Sequence, residues 1–235
     1  VRPRPNRGTR PARKKHRSGT TTRSPRTSGP RTAGPQSVVL LNKPFQVLCQ
    51  FRPERDREGL PPRPTLADYV PVPHVYPAGR LDFDSEGLVV LTGDGPLQHW
   101  LAHPRNEITK HYLVQVDGTP DRAALEALAA GPVIGGYQTR AAEVSRVDAP
   151  AWLWPRTPPI RTRASIPTTW LTITLSEGKN RQVRRMTAAV GHPTLRLIRT
   201  RVGPFELRGL RPGQWRRVTW SPPQDGGARS ARGVG

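Results

Sequence analysis

Apolar positions first gather at Val38-Val39-Leu40-Leu41, a run of strand length that ends at Asn42-Lys43-Pro44. Val47 to Phe51 reads as a partner strand, and Arg52 to Pro64 as a charged, proline-containing loop. Leu88-Val89-Val90-Leu91 is a second compact run with the signature of a buried strand. Tyr112, Val114 and Val116 alternate with Leu113 and Gln115, and Trp170 to Leu175 alternates in the same way. Thr194 to Arg199 and Trp215 to Trp220 add two more strands. Two stretches carry helical periodicity. Thr119-Pro120-Asp121 opens the first, with Thr119 as cap, Pro120 in the first helical position, and Ala124, Leu125 and Leu128 as its apolar face; Gly131 stops it. Gln182 to Val190 is the second, with Val183, Met186 and Val190 on one face and Gly191 as its stop. No segment repeats another. Strands and helices without regular βαβ alternation predict an α+β fold with a mixed, mainly antiparallel sheet.

The chain has 235 residues, enough for one sizeable domain with tails. Its formal net charge of +21 points to a polyanionic partner. That charge is uneven. Residues 1–37 hold eleven Lys/Arg and no acid, while the remainder carries 27 basic and 17 acidic residues. The division expected is a disordered basic tail over 1–36, a catalytic domain over 37–220 and a flexible tail over 221–235. One cysteine, Cys49, excludes an internal disulfide and fits a reducing, cytoplasmic setting. No apolar run approaches the roughly 18 residues of a membrane span, so no membrane partner is expected.

Candidate chemistry concentrates in Gly79-Arg80-Leu81-Asp82-Phe83-Asp84-Ser85-Glu86-Gly87, directly before the buried run at Leu88. Three acids and two glycines crowd one turn beside a rigid strand, where a reactive group is held firmly. Asp82, Asp84, Glu86 and Gly87 copy the first half of an EF-hand calcium loop, but the twelfth position is Gly93 rather than Glu, so no metal is expected. Spacing alone leaves two readings open, paired-carboxylate catalysis involving Asp82 and ordinary capping of a turn. His99 and His103 lie four apart without the central Glu of a zinc helix and read as structural.

Four ordered blocks carry a resemblance that decides between these readings. They are Lys43-Pro44; Gly79-Arg80-Leu81-Asp82 with Ser85-Glu86-Gly87-Leu88; Lys110-His111-Tyr112-Leu113-Val114; and Leu175-Ser176-Glu177-Gly178-Lys179-Asn180-Arg181-Gln182-Val183-Arg184-Arg185-Met186. With the closing Leu195-Arg196-Leu197-Ile198-Arg199 and Val202-Gly203, they resemble the RsuA-type ribosomal RNA pseudouridine synthases over about residues 38–220. The family's pseudouridine-synthase fold, two halves of a sheet flanking a basic cleft, is what the resemblance implies. It also implies isomerisation of uridine in ribosomal RNA by one monomer, a reaction that loses and adds nothing and needs no cofactor. Carried over residue by residue, Asp82 is the nucleophile, and Tyr112 stacks on the flipped base. Arg184 pairs with the aspartate, and Leu197 lines the pocket. Arg80 contacts substrate, while Lys110, Lys179, Arg181 and Arg185 face the RNA. Gly93 and Lys179 depart from the commoner Asn and Arg. Residues 1–37 are too short and polar for the S4 domain that many members carry, and the Pro150–Trp170 segment, rich in Trp, Pro and Arg, resembles an insertion of the compact RluE subgroup, which modifies 23S rRNA. Its Trp faces and Arg charges suit RNA contact.

Removal of residues 1–36 tests the tail as an arm on the phosphate backbone. RNA affinity should fall at matched and mismatched targets alike. The log–log salt slope should flatten by on the order of 0.7–0.9 per lost phosphate contact. Affinities measured over a salt series check this; superimposable curves mean the tail is only a solvated extension.

Overall fold

The computed structural model describes residues 34–54, 59, 61–160 and 167–222. In chain order its regular elements are β1 (Gln36–Lys43), β2 (Tyr76–Pro77), β3 (Glu86–Thr92), α1 (Gly95–Ala102), β4 (Lys110–Asp117), α2 (Arg122–Ala130), β5 (Val133–Ile134), β6 (Tyr137–Gln138), β7 (Glu143–Val147), β8 (Thr168–Leu175), α3 (Gln182–Ala189), β9 (Thr194–Val202), β10 (Phe205–Glu206) and β11 (Trp215–Trp220). The main sheet runs β11-β1-β3-β9-β4-β8-β7, with β2 on β3 and β10 on β9. Every pairing in it is antiparallel except β3 with β9. This is the α+β, mainly antiparallel architecture expected. Among the described residues, no helix is long and apolar enough to cross a membrane.

The parallel pair is a seam. β3 and β9 share only two registered positions, Glu86 with Ile198 and Gly87 with Arg199. One half of the sheet, β11-β1-β3, meets the other, β9-β4-β8-β7, along this short contact. The core follows the same division. On one face, Val39, Leu41, Val89 and Leu91 pack with Leu66 and Val70, while Val114, Leu171 and Leu197 pack under Leu128 and Met186 of the helices. Those two clusters stay separate. On the other face Val38, Leu40, Leu88, Val90, Leu113 and Ile198 form one cluster that crosses the seam. The strand-period alternation of β1 and β3 supplies both sides, which is why their apolar runs are continuous rather than alternating.

Three sequence expectations are corrected here. Val47 to Phe51 is no partner strand; it makes a single parallel bridge, Leu48 to Thr65. Both edges of β1 are already taken by β3 and β11, and Gln46 at φ 58° turns the chain away. The helix expected after Thr119 is α2, and it is capped by Asp121, whose side chain accepts from the Ala124 N–H, rather than by Thr119. A carboxylate next to the helix both accepts that bond and favours the positive end of the helix dipole. β1 begins at Gln36, inside the segment assigned to the tail, because Gln36 pairs with Trp220. Residues 1–33 of that tail and 223–235 of the C-terminal one lie outside the described residues.

At the seam, Gly87 has φ +102°, and a Cβ there would collide with the Arg199 carbonyl oxygen. Only glycine allows the two backbones to approach this closely. Gly87→Ala should therefore destabilise the fold by about 2–4 kcal/mol, from backbone strain and overpacking together. Chemical denaturation of both chains measures this, and an unchanged midpoint would mean that the seam tolerates opening.

Candidate active site

The seam positions a turn. β3 starts at Glu86, so Asp82 to Ser85 lie just before the point where the two halves meet. The Ser85 N–H donates to the Asp82 carbonyl at 3.1 Å and closes the turn. The Gln46 N–H donates to the Phe83 carbonyl at 2.8 Å and ties it to the loop after β1. Asp82 is half-buried, with its side chain 33% exposed.

A cavity of about 540 Å³ opens over this turn, between the two separate apolar clusters. Arg80, Asp82, Lys110, Tyr112, Lys179, Arg181 and Leu197 all line it. Residues up to 117 positions apart in the chain thus converge on one site, as the sequence blocks predict. Leu195, the neighbour of Leu197, does not line the cavity. Strand alternation explains the choice, since Tyr112 and Leu197 share the face that carries α3. Arg184 and Arg185 do not line the cavity.

The arginines of the α3 segment are arranged differently from the expected pairing. Arg181 adopts the left-handed conformation at φ 48° just before α3. From there it grips Asp84 with two hydrogen bonds of 2.9 Å, and it comes within 3.7 Å of Asp82. Arg184, expected to pair with Asp82, instead reaches the Asp84 carboxylate at 3.4 Å and donates to the Asp84 carbonyl at 2.5 Å. Asp84, two residues beyond Asp82 in the same turn, meets the guanidinium first. Burial works against the Asp84 carboxylate, but the Arg181 hydrogen bonds and the Arg184 and Arg181 charges outweigh it and hold its pKa below the ordinary value. Arg185 is exposed and packs beside Gly135 of the β5–β6 turn.

The floor of the site is built by buried charge. Glu177, 5% exposed, accepts from the Arg140 N–H, the Tyr137 hydroxyl and the Gln182 amide at 2.9, 2.8 and 2.5 Å. Burial opposes its ionisation, yet those three donors pull its pKa below normal. Lys179 rests over the Tyr137 ring at 4.3 Å, so the segment before α3 is fastened at both ends. Tyr112 is 9% exposed, and burial raises its phenol pKa while the nearby Arg199 guanidinium opposes the rise. The phenol is therefore neutral at pH 7.

Arg199 is the residue that sequence reasoning did not single out. It is 3% exposed and lines the cavity. Its Nε donates to the Leu88 carbonyl at 2.9 Å and its Nη1 to the Arg80 carbonyl at 3.3 Å. Its guanidinium also acts on the Tyr112 phenol. Arg199 thus holds both ends of the Asp82 turn and stands beside Tyr112. The signal for it was present: a cation inside the apolar run Leu195 to Val202 must be paired if that run is a central strand. Cys49, read as a small buried hydrophobe, is 8% exposed and also reaches the cavity wall. His99 and His103 stack on each other at 4.6 Å, and His103 caps a short 3-10 turn, which is a structural role.

Comparison with known proteins follows the same residues. The family model described as "RNA pseudouridylate synthase" matches residues 37–189. A curated relative from Xanthomonas campestris pv. campestris, "Ribosomal large subunit pseudouridine synthase E", is 53% identical over 179 residues, covering 76% of this chain and 94% of the relative. A protein of the same name from Vibrio parahaemolyticus is 52% identical over 183 residues, covering 78% of this chain and 74% of its own. A crystal structure of a pseudouridylate synthase superposes with a TM-score of 0.62 at 28% identity, covering 78% of this chain and 70% of that one.

Two lysines near the turn give a measurable pH signature. Burial lowers Lys110 from 10.5 to about 8, with Arg199 adding to the shift, and burial lowers Lys43 likewise to about 8. Lys43 is fully buried and donates to the Pro44 and Val47 carbonyls at 2.8 and 2.9 Å. Between about 8 and 10.5 the unfolded chain binds more of these protons than the native one, so their contribution to stability rises with pH across that window. Lysine side-chain NMR should show two groups titrating near 8, and the Lys110→Met chain should lack one of them. Two lysines titrating at the ordinary value would refute this environment.

Proposed function

The chain belongs to the RNA pseudouridylate synthase family, and on that footing we propose that Asp82 is its nucleophile and large-subunit 23S rRNA its substrate. It converts uridine to pseudouridine in ribosomal RNA. The observation that carries the site reading is the convergence of Asp82, Tyr112 and Leu197 on one cavity whose remaining wall is rich in cations.

The chemistry fits these groups. The bond from the sugar C1′ to N1 of uracil breaks, the base turns, and C1′ bonds to C5; the proton lost from C5 is balanced by one gained at N1. Nothing enters or leaves, so the reaction balances without a cofactor. A carboxylate at Asp82 assists detachment of the base, with the Arg181 guanidinium 3.7 Å away. Arg184 acts indirectly, by fixing the Asp84 carboxylate and carbonyl and so the backbone that presents Asp82. The uridine leaves its stack to enter the cavity, where the neutral Tyr112 ring offers a face for the base and Leu197 an apolar wall. Arg80, Lys110, Lys179 and Arg181 take the flanking phosphates, which sets register. Arg185, on the exposed side of α3, serves at most as a peripheral phosphate contact. The cleft between the two halves is thus the RNA groove, and the enzyme acts as a cytoplasmic monomer on this reading.

Asp82→Asn tests the proposal. Isomerisation of large-subunit rRNA, followed by mass-neutral conversion of uridine, should be abolished, while RNA affinity and thermal stability stay near those of the parent. Turnover by the variant close to the parent rate would sink the assignment. Release of free uracil would instead indicate a hydrolase.

A further inference from the structure

The strand that carries Arg199 into the active site also builds a second cavity on the opposite face of the sheet. The register of β4 against β9 shifts between His111 and Tyr112. This irregularity places an extra residue, Thr200, between the pairs Tyr112–Arg199 and His111–Arg201. Such a bulge re-aims the side chains on either side of it. Lys110, Tyr112, Arg199 and Val202 therefore line the active site, while His111, Thr200 and Arg201 line the cavity behind it.

That reverse cavity measures about 830 Å³, and the Trp-rich insertion forms one of its walls. Trp154 is committed to the fold: its Nε1 donates to Glu86 at 2.8 Å, and Arg196 lies over its ring at 5.7 Å. Trp152 is not. It is 54% exposed, tilted against Trp154 at 5.9 Å between ring centroids. The opposite wall is the turn from Glu206 to Pro212, which brings Arg208 and Arg211 to Arg201. Among the described residues Glu206 is the only acid lining the cavity, and it is already paired with Arg201 at 3.5 Å and Arg208 at 2.5 Å. An open indole face inside a cationic rim matches an unpaired nucleobase with its phosphate.

We infer that this cavity is a second RNA subsite, in which an unpaired base of the substrate RNA stacks on Trp152 while Arg201, Arg208 and Arg211 face its phosphates. The inference rests on the reading of the chain as an rRNA-modifying enzyme. It adds a contact on the face of the sheet away from Asp82. Such a contact raises affinity and selects among folded RNAs without touching the reacting uridine.

The experiment is ultraviolet crosslinking of the full chain to large-subunit rRNA, followed by trypsin digestion and mass spectrometry. The peptide 147–156, which holds Trp152 and Trp154, should carry a ribonucleotide adduct. In parallel, binding of a short single-stranded oligoadenylate should weaken by roughly tenfold in Trp152→Ala, the loss of one base–aromatic stack, and recover in Trp152→Phe. With rRNA as substrate, Trp152→Ala should raise KM by a similar factor and keep kcat within about twofold of the parent, as expected of uniform binding. Unchanged oligoadenylate and rRNA affinity in Trp152→Ala, or adducts confined to active-site peptides, would overturn the subsite. So would a loss of kcat at constant KM. Sedimentation that shows Trp152→Ala dissociating a self-associated chain at constant RNA affinity would assign the cavity to a second copy, and capture of a proline-rich peptide in place of oligoadenylate would assign it to protein. If the parent chain forms the 147–156 adduct but makes no pseudouridine, the catalytic reading fails and the subsite stands.

Discussion

Everything at this site hangs from a two-residue parallel seam between β3 and β9. Two registered positions are too few to hold two sheet halves by ladder hydrogen bonds alone. The apolar cluster behind the seam and arginines reaching across it supply the rest. Arg199 donates to the Leu88 and Arg80 carbonyls, and Arg196 forks onto Glu86 at 2.8 and 2.9 Å with both side chains almost fully buried. Arg181, just before α3, and Arg184, within it, reach Asp84. A buried guanidinium is costly unless its donors are matched, and losing one partner of such a pair costs about 3–5 kcal/mol. The bidentate geometry of arginine suits this task in a way that lysine does not. The turn bearing Asp82 is thereby clamped from three directions.

This clamp separates the structural acids from the one proposed as the nucleophile. Glu86 is consumed by Arg196 and Trp154 on the reverse face, and Asp84 by Arg181 and Arg184. Among the described residues, Asp82 keeps only a looser 3.7 Å ion-pair contact, and it faces the cavity. A nucleophile gripped as tightly as Asp84 would have to break strong charge-assisted bonds in order to react. Neighbouring Arg181 supplies favourable potential without occupying both oxygens. Three acids within five residues therefore divide into one available group and two that build its support.

The bulge between β4 and β9 is the second organising device. Without it, alternation along β9 would send Arg201 to the same face as Arg199. With it, one strand serves two cavities, and the Trp insertion can close over the back of the seam while the front stays open between separate apolar clusters. The single apolar cluster on the reverse face keeps the halves together, and the divided front leaves room for a substrate.

The apolar periodicity by itself determined most of the longer strands, two of the three helices described and the α+β class, because burial of alternating or continuous runs is a local property of the chain; it missed α1. The ordered motifs likewise identified Asp82, Tyr112, Lys110, Lys179, Arg181 and Leu197, all of which meet at one cavity. Short-range patterns failed where the outcome depended on what was already paired. Val47 to Phe51 looks like a strand but finds both edges of β1 occupied. Arg184 looks like the partner of Asp82 but finds Asp84 nearer. Arg199 is one cation among many in the sequence, and only the seam makes it the tie between turn, strand and Tyr112. The back cavity was still less legible, since a one-residue register shift between strands more than 80 positions apart decides which side chains face it. Which residue types a site requires can be written into local sequence; which partner each side chain reaches first is a matter of distance, and distance exists only in the folded chain.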